Sequence, residues 1–108
     1  MTETFYIKRG DTSPSIRLSL EPATVTLIGA EVTFQMRLRG GAQVIDAPAV
    51  IESFLGTPTV RYDWQPSDTA VAGLFEAEVR VRYANGLIET FPNSGFVSVR
   101  IGEDVRSV

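Results

Sequence analysis

Apolar and polar residues alternate along most of the chain with a period of two. Runs of this kind lie at residues 5–8, 16–21, 32–39 and 60–65, and residues 96–101 form a last, largely apolar strand. In the longest run, charged residues alternate with Phe75, Ala77, Val79, Val81 and Tyr83. Successive side chains of a β-strand point to opposite faces, so this pattern predicts strands with one buried and one solvent-facing side. Helical stripes of apolar residues do not occur over a useful length, and the chain is therefore predicted to be all-β.

Turn-forming residues separate these runs at short, regular intervals. Asn85-Gly86 predicts a two-residue type I′ hairpin that joins the strand ending at Tyr83 to residues 87–91. In the segment 42–55, Pro48 lacks an N–H group and is expected at a bulge or on an edge strand. The spacing predicts an immunoglobulin-like antiparallel β-sandwich of about seven to nine short strands.

Length and composition indicate one small globular domain. The chain has 108 residues, of which 44% are hydrophobic and 21% are charged. These proportions are ordinary for a protein with a single buried core. We expect residues 1–102 to form the sandwich and residues 103–108 to form a loosely ordered tail.

From its charge and its side-chain chemistry, we expect this chain to lack several kinds of function. The formal net charge is −3, with Lys8 as the one lysine, so we expect no nucleic-acid partner. The sequence contains no histidine and no cysteine, which removes most nucleophile, general-base and thiolate schemes. We therefore expect no enzymatic activity, no cofactor and no metal. No long apolar run or signal-like segment is present, and we expect no membrane partner.

Two carboxylates, Glu76 and Glu78, lie on one face of a predicted strand, as a catalytic pair would. Arg80 and Arg82 continue the same face. A solvated, charge-paired sheet surface explains all four residues, and we prefer this interpretation.

A corner between two strands is predicted at residues 64–75. Asp68 is expected to cap the corner and Gly73 to supply a backbone conformation that other residues resist. Immunoglobulin-type corners use an aromatic hydroxyl, which Phe75 lacks. Trp64 is placed in the core by its alternation, with its indole N–H bonded to a backbone group. An exposed Trp64 stacked on a sugar is the alternative.

Six short motifs occur in a fixed order along the chain. They are Gly-Asp-Thr at 10–12, Leu-Ile-Gly-Ala at 27–30, Val-Thr-Phe-Gln-Met-Arg at 32–37, Tyr-Asp-Trp at 62–64, Asp-Thr-Ala with a later Gly and Phe at 68–75, and Thr-Phe-Pro at 90–92. The ordered set resembles the N-terminal domain of phage baseplate upper proteins and related prophage tail proteins.

This resemblance implies a structural component of a phage or prophage particle, in the tail or baseplate, that acts by protein–protein assembly. The implied partners are other phage structural proteins and further copies of the chain. The implied location is the virion, after synthesis in the bacterial cytoplasm. Baseplate upper proteins usually continue into regions that hold the receptor-binding protein, so we expect a stand-alone structural protein or an isolated domain.

Two other functions are compatible with the same fold. One is a carbohydrate- or host-surface-binding module, which would show a row of exposed aromatic residues on one face or a cluster of loops. The other is a capsid decoration or neck protein. Fold alone does not separate them.

The candidate interface lies on the first and last strands, which we expect to be open sheet edges. Tyr6 faces away from its neighbours and is the best candidate for an interface anchor. The residues of this interface are Phe5, Tyr6, Ile7, Val97 and Val99.

Overall fold

The structure, a computed structural model, describes residues 4–21, 26–54 and 56–105. These residues form nine β-strands and no helix, and accordingly no helix of the length and apolar character needed to cross a membrane. The strands are β1 (Thr4–Lys8), β2 (Ile16–Ser19), β3 (Glu31–Leu38), β4 (Gln43–Pro48), β5 (Val50–Ser53), β6 (Thr59–Tyr62), β7 (Gly73–Arg82), β8 (Ile88–Phe91) and β9 (Val97–Gly102).

Two sheets pack face to face as a β-sandwich. The larger sheet has the order β1-β9-β7-β3-β4, with β8 beside the second half of β7. The smaller sheet has the order β2-β6-β5. The all-β sandwich predicted from the alternation is confirmed. One pairing departs from the antiparallel prediction, because β1 and β9 run parallel.

The longest strands, β3 and β7, form the centre of the larger sheet. They pair antiparallel over eight positions, from Glu31 opposite Arg82 to Leu38 opposite Phe75. Their alternation in sequence becomes an alternation in burial, with Phe34 and Val79 fully buried and opposite each other. The two inward faces, together with those of β2 and β6, make one continuous core.

Four aromatic rings connect the two sheets inside this core. Phe34 of the larger sheet stacks on Tyr62 of the smaller sheet, with ring centroids 4.6 Å apart and planes 11° apart. Trp64 packs edge-on against both rings, at 5.8 Å from Phe34 and 5.6 Å from Tyr62. Phe5 of β1 lies 5.8 Å from Trp64 on the other side. The cluster therefore links β1, β3 and β6.

Trp64 is buried, with 3% of its surface exposed, which confirms its predicted place in the core. The expected bond of its indole N–H to the backbone is wrong, since Nε1 is buried and has no hydrogen-bond partner among the described residues. The rings of Phe5, Phe34 and Tyr62 pack against the indole. Burial also removes the hypothesis that Trp64 stacks on a sugar.

The chain changes sheets at Pro48 and Ala49. β4 is an edge strand of the larger sheet and β5 is an edge strand of the smaller one, and Ala49 alone separates them. The Ala49 N–H donates to the carbonyl oxygen of Val32 at 3.0 Å. The predicted edge position of Pro48 is confirmed, because an edge strand needs hydrogen-bond donors on one side only.

The hairpin after β7 lies where Asn85-Gly86 predicts it, but the turn type is different. Gly86 has φ of +90°, whereas Asn85 does not have a positive φ, so the turn is not type I′. The Gly86 N–H donates to the Tyr83 carbonyl at 2.9 Å, and the Tyr83 N–H donates to the Leu87 carbonyl at 2.8 Å. This is the three-residue loop in which a type I turn ends on a left-handed glycine.

The segment after β9 contacts the sandwich. Asp104 accepts a hydrogen bond from Arg9 at 3.2 Å, and Glu103 lies 3.9 Å from the same guanidinium. The first residues of the predicted tail are therefore attached to the end of β1, and residues 106–108 lie outside the described part of the chain.

We expect Trp64→Ala to lower the free energy of unfolding by about 3–5 kcal/mol, because a buried aromatic side chain is replaced by a cavity. Trp64→Phe should cost much less, since the indole N–H makes no bond that the change would lose. Chemical denaturation measures both, with the exposed Phe96→Ala as control. An unchanged midpoint for Trp64→Ala would contradict its place between the sheets.

Candidate functional site

Tyr6 is the strongly exposed aromatic residue of β1. Its side chain is 72% exposed, whereas Ile7 is buried and Phe5 packs on Trp64. β1 ends the larger sheet, and among the described strands only β9 lies beside it. Tyr6 therefore has the position that the sequence predicts, on the solvent face of an edge strand.

The last strand is not a sheet edge, and that expectation is wrong. β9 lies between β1 and β7 and pairs with both. Val99 is fully buried, and Val97 is half-buried against the core. Alternation determines which face a side chain occupies but not which neighbours a strand has, so the central position of β9 was not visible in the sequence. Of the predicted interface residues, Tyr6 is the one that extends into solvent.

Tyr6 begins a row of side chains across the outer face of the larger sheet. The register pairs Tyr6 with Arg100 and Arg100 with Leu74. The Arg39 N–H donates to the Leu74 carbonyl at 3.0 Å, which extends the row to the end of β3. Tyrosine and arginine are enriched in protein interfaces, so the composition of this row is typical of a contact surface.

A shallow groove of about 390 Å³ lies next to this row, over β3, β4 and β7. The Arg37 guanidinium lies 4.9 Å from the ring centroid of Phe96 and donates to Glu76 at 2.9 Å. A cation held over an aromatic face and paired with a carboxylate is fixed in position. Gln35, Gln43 and Glu78 also line the groove.

The two carboxylates of β7 have different environments. Glu76 pairs with Arg37 at 2.9 Å and with Arg39 at 4.0 Å, both across the β3–β7 ladder. Glu78 lies opposite Gln35. The partners of Glu76 are thus cross-strand arginines and not the arginines further along β7, because directly opposite side chains are closer than residues i and i+2 of one strand.

Asp68 organises the corner between β6 and β7. Its Oδ2 accepts the Gln65 N–H at 2.8 Å, which confirms the predicted cap, and the Tyr62 hydroxyl at 2.6 Å. Burial is the main cause that raises the pKa of Tyr62, and the hydrogen bond to Asp68 is the second. Phe75 lacks the hydroxyl that immunoglobulin-type corners use, and Tyr62, which was not predicted for this role, supplies one from an inward position six residues before Asp68. Gly73 has φ of +153°, a conformation that other residues rarely adopt.

Thr69 ties the corner to the first loop. It is fully buried, and its hydroxyl donates to the Asp11 carbonyl at 2.8 Å. The Gly10 N–H donates to the Thr69 carbonyl at 3.0 Å. The loop after β1 and the corner before β7 are therefore held together by one side-chain and one backbone hydrogen bond, both made by Thr69.

The outer face of the smaller sheet carries a network of ion pairs. Arg17 and Arg61 lie opposite each other, and Glu52 accepts a 2.9 Å hydrogen bond from each. These bonds, first that of Arg17, lower the pKa of Glu52. Asp63 accepts from Ser15 and from Arg61, and both bonds lower its pKa. The network balances two like charges that would otherwise repel each other across the ladder.

Tyr83, at the end of the sheet where β7 turns into β8, is hydrogen-bonded to Glu89 of β8. Its hydroxyl donates to Glu89 at 2.6 Å, and Asn93 donates to the second oxygen of Glu89 at 3.2 Å. Burial, followed by the hydrogen bond to Glu89, raises the pKa of Tyr83 to about 12.

The described residues hold no group of three or more His, Cys, Asp or Glu side chains placed to bind a metal ion. Comparison with protein-family models, with curated proteins and with solved structures finds no match. Within the described part of the chain, the exposed sheet edge at Tyr6 and the row of side chains beside it are the surface that we consider further.

We expect the double variant Glu76→Gln, Glu78→Gln to fold normally and to lose about 0–1 kcal/mol of unfolding free energy, because the pairs it weakens are partly solvated. Urea denaturation at low and high salt measures this, and the difference from the unmodified chain should shrink at high salt. A loss of several kcal/mol would show that these carboxylates do more than pair on a surface.

We expect stability to fall as the pH rises through the range from about 10 to about 12. Burial and the bond to Glu89 raise the pKa of Tyr83 from about 10 in the unfolded chain to about 12 in the folded one, so its contribution to stability is complete below pH 10 and is lost above pH 12. Tyr83→Phe should make this fall shallower. Denaturation midpoints across the range test it, with Tyr6→Phe as control.

Proposed function

We propose that this chain is a structural component of a phage or prophage particle, in the tail or baseplate, and that it acts by protein–protein assembly. Its partners are other structural proteins of the particle and further copies of itself. Support comes from the ordered set of motifs between residues 10 and 92, which resembles the N-terminal domain of baseplate upper proteins.

The observation that carries the assembly role is Tyr6, 72% exposed on the edge strand β1. A large aromatic side chain beside unpaired backbone groups favours contact with another protein. The adjoining row of Arg100, Leu74 and Arg39 extends the same kind of surface.

The carbohydrate-binding alternative receives no comparable support from the described residues. Tyr6, Phe54 and Phe96 are the aromatic side chains with substantial exposure there. Tyr6 and Phe96 lie on the same face but two rows apart, and Arg37 covers the ring of Phe96. Sugar platforms need adjacent open rings, so we do not put this function forward.

The experiment compares the unmodified chain, Tyr6→Glu and Leu87→Glu by light scattering over a range of concentrations. Mixtures with any tail or baseplate proteins found encoded beside this chain are measured in the same way. We expect the unmodified chain to associate with itself or with one of these proteins, and Tyr6→Glu to lose that association. Leu87, 63% exposed on the distant hairpin, is the matched control and should retain it.

Melting curves of both variants establish that the fold is intact. A chain that remains monomeric at high concentration and binds none of the neighbouring proteins would overturn the assembly role. Binding to head or neck proteins in place of tail proteins would retain assembly and move the chain to another part of the particle.

A further inference from the structure

The open side of β1 presents the backbone groups of alternate residues. The Arg9 N–H donates to the Gly102 carbonyl at 2.8 Å, so the odd-numbered residues of this strand direct their backbone groups toward β9. The N–H and C=O of successive strand residues point to opposite sides. Thr4, Tyr6 and Lys8 therefore direct theirs away from the sheet. The Lys8 carbonyl also accepts the Asp11 N–H at 3.0 Å within the following turn.

The other edge strands carry features that disfavour pairing. β4 contains Asp46, ends at Pro48 and has a register shift against β3, and β5 has a register shift against β6. β8 has four residues and is followed by Pro92, and the short β2 carries Arg17 near its middle. β1 pairs with β9 without a shift, contains no proline, and has its one charge, Lys8, at its end. It is the edge with the least protection.

We propose that β1 pairs antiparallel with β1 of a second copy of this chain, about a two-fold axis at Tyr6. The two larger sheets then form one continuous sheet across the dimer. This inference rests on the proposed assembly role. It adds that the partner at the Tyr6 edge is a second copy of the chain and states how the two β1 strands align. A two-fold contact uses the same strand on both copies and closes without leaving an edge at the junction.

The register follows from the direction of the backbone groups and from the faces of the strand. A two-fold axis perpendicular to the sheet keeps the outer faces together, so outward residues must oppose outward residues. Placing Tyr6 opposite Tyr6 brings Thr4 opposite Lys8 at both ends, so each of the three residues that direct backbone groups outward faces one on the other strand, with the Lys8 carbonyl shared between its partner and Asp11.

Other registers are less favourable. A shift of two residues in either direction leaves one outward residue of each strand without a partner. A shift of four toward the carboxyl end places Lys8 opposite Lys8, and like charges directly opposite destabilise the pair. A shift by one would bring an inward residue such as Phe5 opposite Tyr6. The alignment centred on Tyr6 uses the most hydrogen bonds and separates the two lysines.

The contact is short, since five residues of each copy take part. We expect weak association in dilute solution and effective pairing where the particle holds copies at high local concentration. A covalent trap is therefore the appropriate test. The chain has no native cysteine, so a single introduced cysteine reports one position without ambiguity.

The test uses the full chain with Tyr6→Cys, Lys8→Cys, Thr4→Cys or Leu87→Cys and a short bismaleimide cross-linker. In the proposed register the two Tyr6 Cα atoms lie about 5.5 Å apart. The two Lys8 Cα atoms lie about 14 Å apart, since they are offset by four residues. We expect Tyr6→Cys to form a cross-linked dimer, Lys8→Cys and Thr4→Cys to do so poorly when alone, and a mixture of these two to form a heterodimer.

A second pair of variants separates backbone pairing from a contact of the tyrosine ring. Tyr6→Pro removes the outward N–H without a loss to the β1–β9 ladder, whereas Tyr6→Val keeps it. Tyr6→Pro should weaken dimerisation about tenfold relative to Tyr6→Val, because each copy loses one central hydrogen bond. Equal weakening by both variants would overturn the backbone pairing. Melting curves verify that each variant folds.

The outcomes distinguish this inference from the proposed function. Efficient cross-linking of Leu87→Cys, or of Lys8→Cys alone, would overturn the register. If neither Tyr6→Cys nor the mixture of Thr4→Cys and Lys8→Cys, which keeps Tyr6, forms a cross-linked dimer while the unmodified chain binds a tail or baseplate protein, the β1 dimer is overturned and the assembly role stands. No dimer and no binding to any such protein would overturn both.

Discussion

The contact between Phe34 and Tyr62 is the interaction on which the rest of the sandwich depends. The two rings come from different sheets and stack at 4.6 Å, so they fix how the sheets lie on each other. Tyr62 also reaches Asp68 with its hydroxyl, which ties the sheet packing to the corner before β7. A buried ring and a satisfied hydroxyl on one side chain join the apolar core to the polar corner. The corner in turn holds the loop that ends β1 through Thr69.

Much of the fold was predictable because burial follows alternation. The inward positions of Phe75 and Trp64, the edge position of Pro48 and the hairpin at Gly86 all follow from local rules. What could not be predicted depends on which strands become neighbours. Three features depend on the pairing of segments that are distant in sequence: the position of β9 between two strands, the ion pairs of Glu76 with β3, and the hydroxyl of Tyr62 at the corner. Side-chain periodicity does not show which segments pair.

For the candidate surface too, one part was predictable from alternation and the other depends on which strands pair. The exposure of Tyr6 follows from its phase within a five-residue strand, and the sequence is sufficient for it. Its setting beside Arg100 and Leu74 depends on a parallel pairing between the first and the last strand, which local rules do not anticipate. The orphan indole of Trp64 is a further case, since packing area outweighed the hydrogen bond that a buried N–H usually finds.

The parallel pairing of β1 with β9 also determines how the domain transmits mechanical force. The chain enters this pair at Thr4 and leaves it at Gly102, at opposite ends of the ladder. Tension applied through these two points pulls the strands along their length in opposite directions. All the hydrogen bonds between them are then loaded together in shear, and none can open ahead of the others as it would in a pair peeled from one end. Pulled at these two points, the pair opens only when all of its hydrogen bonds yield together.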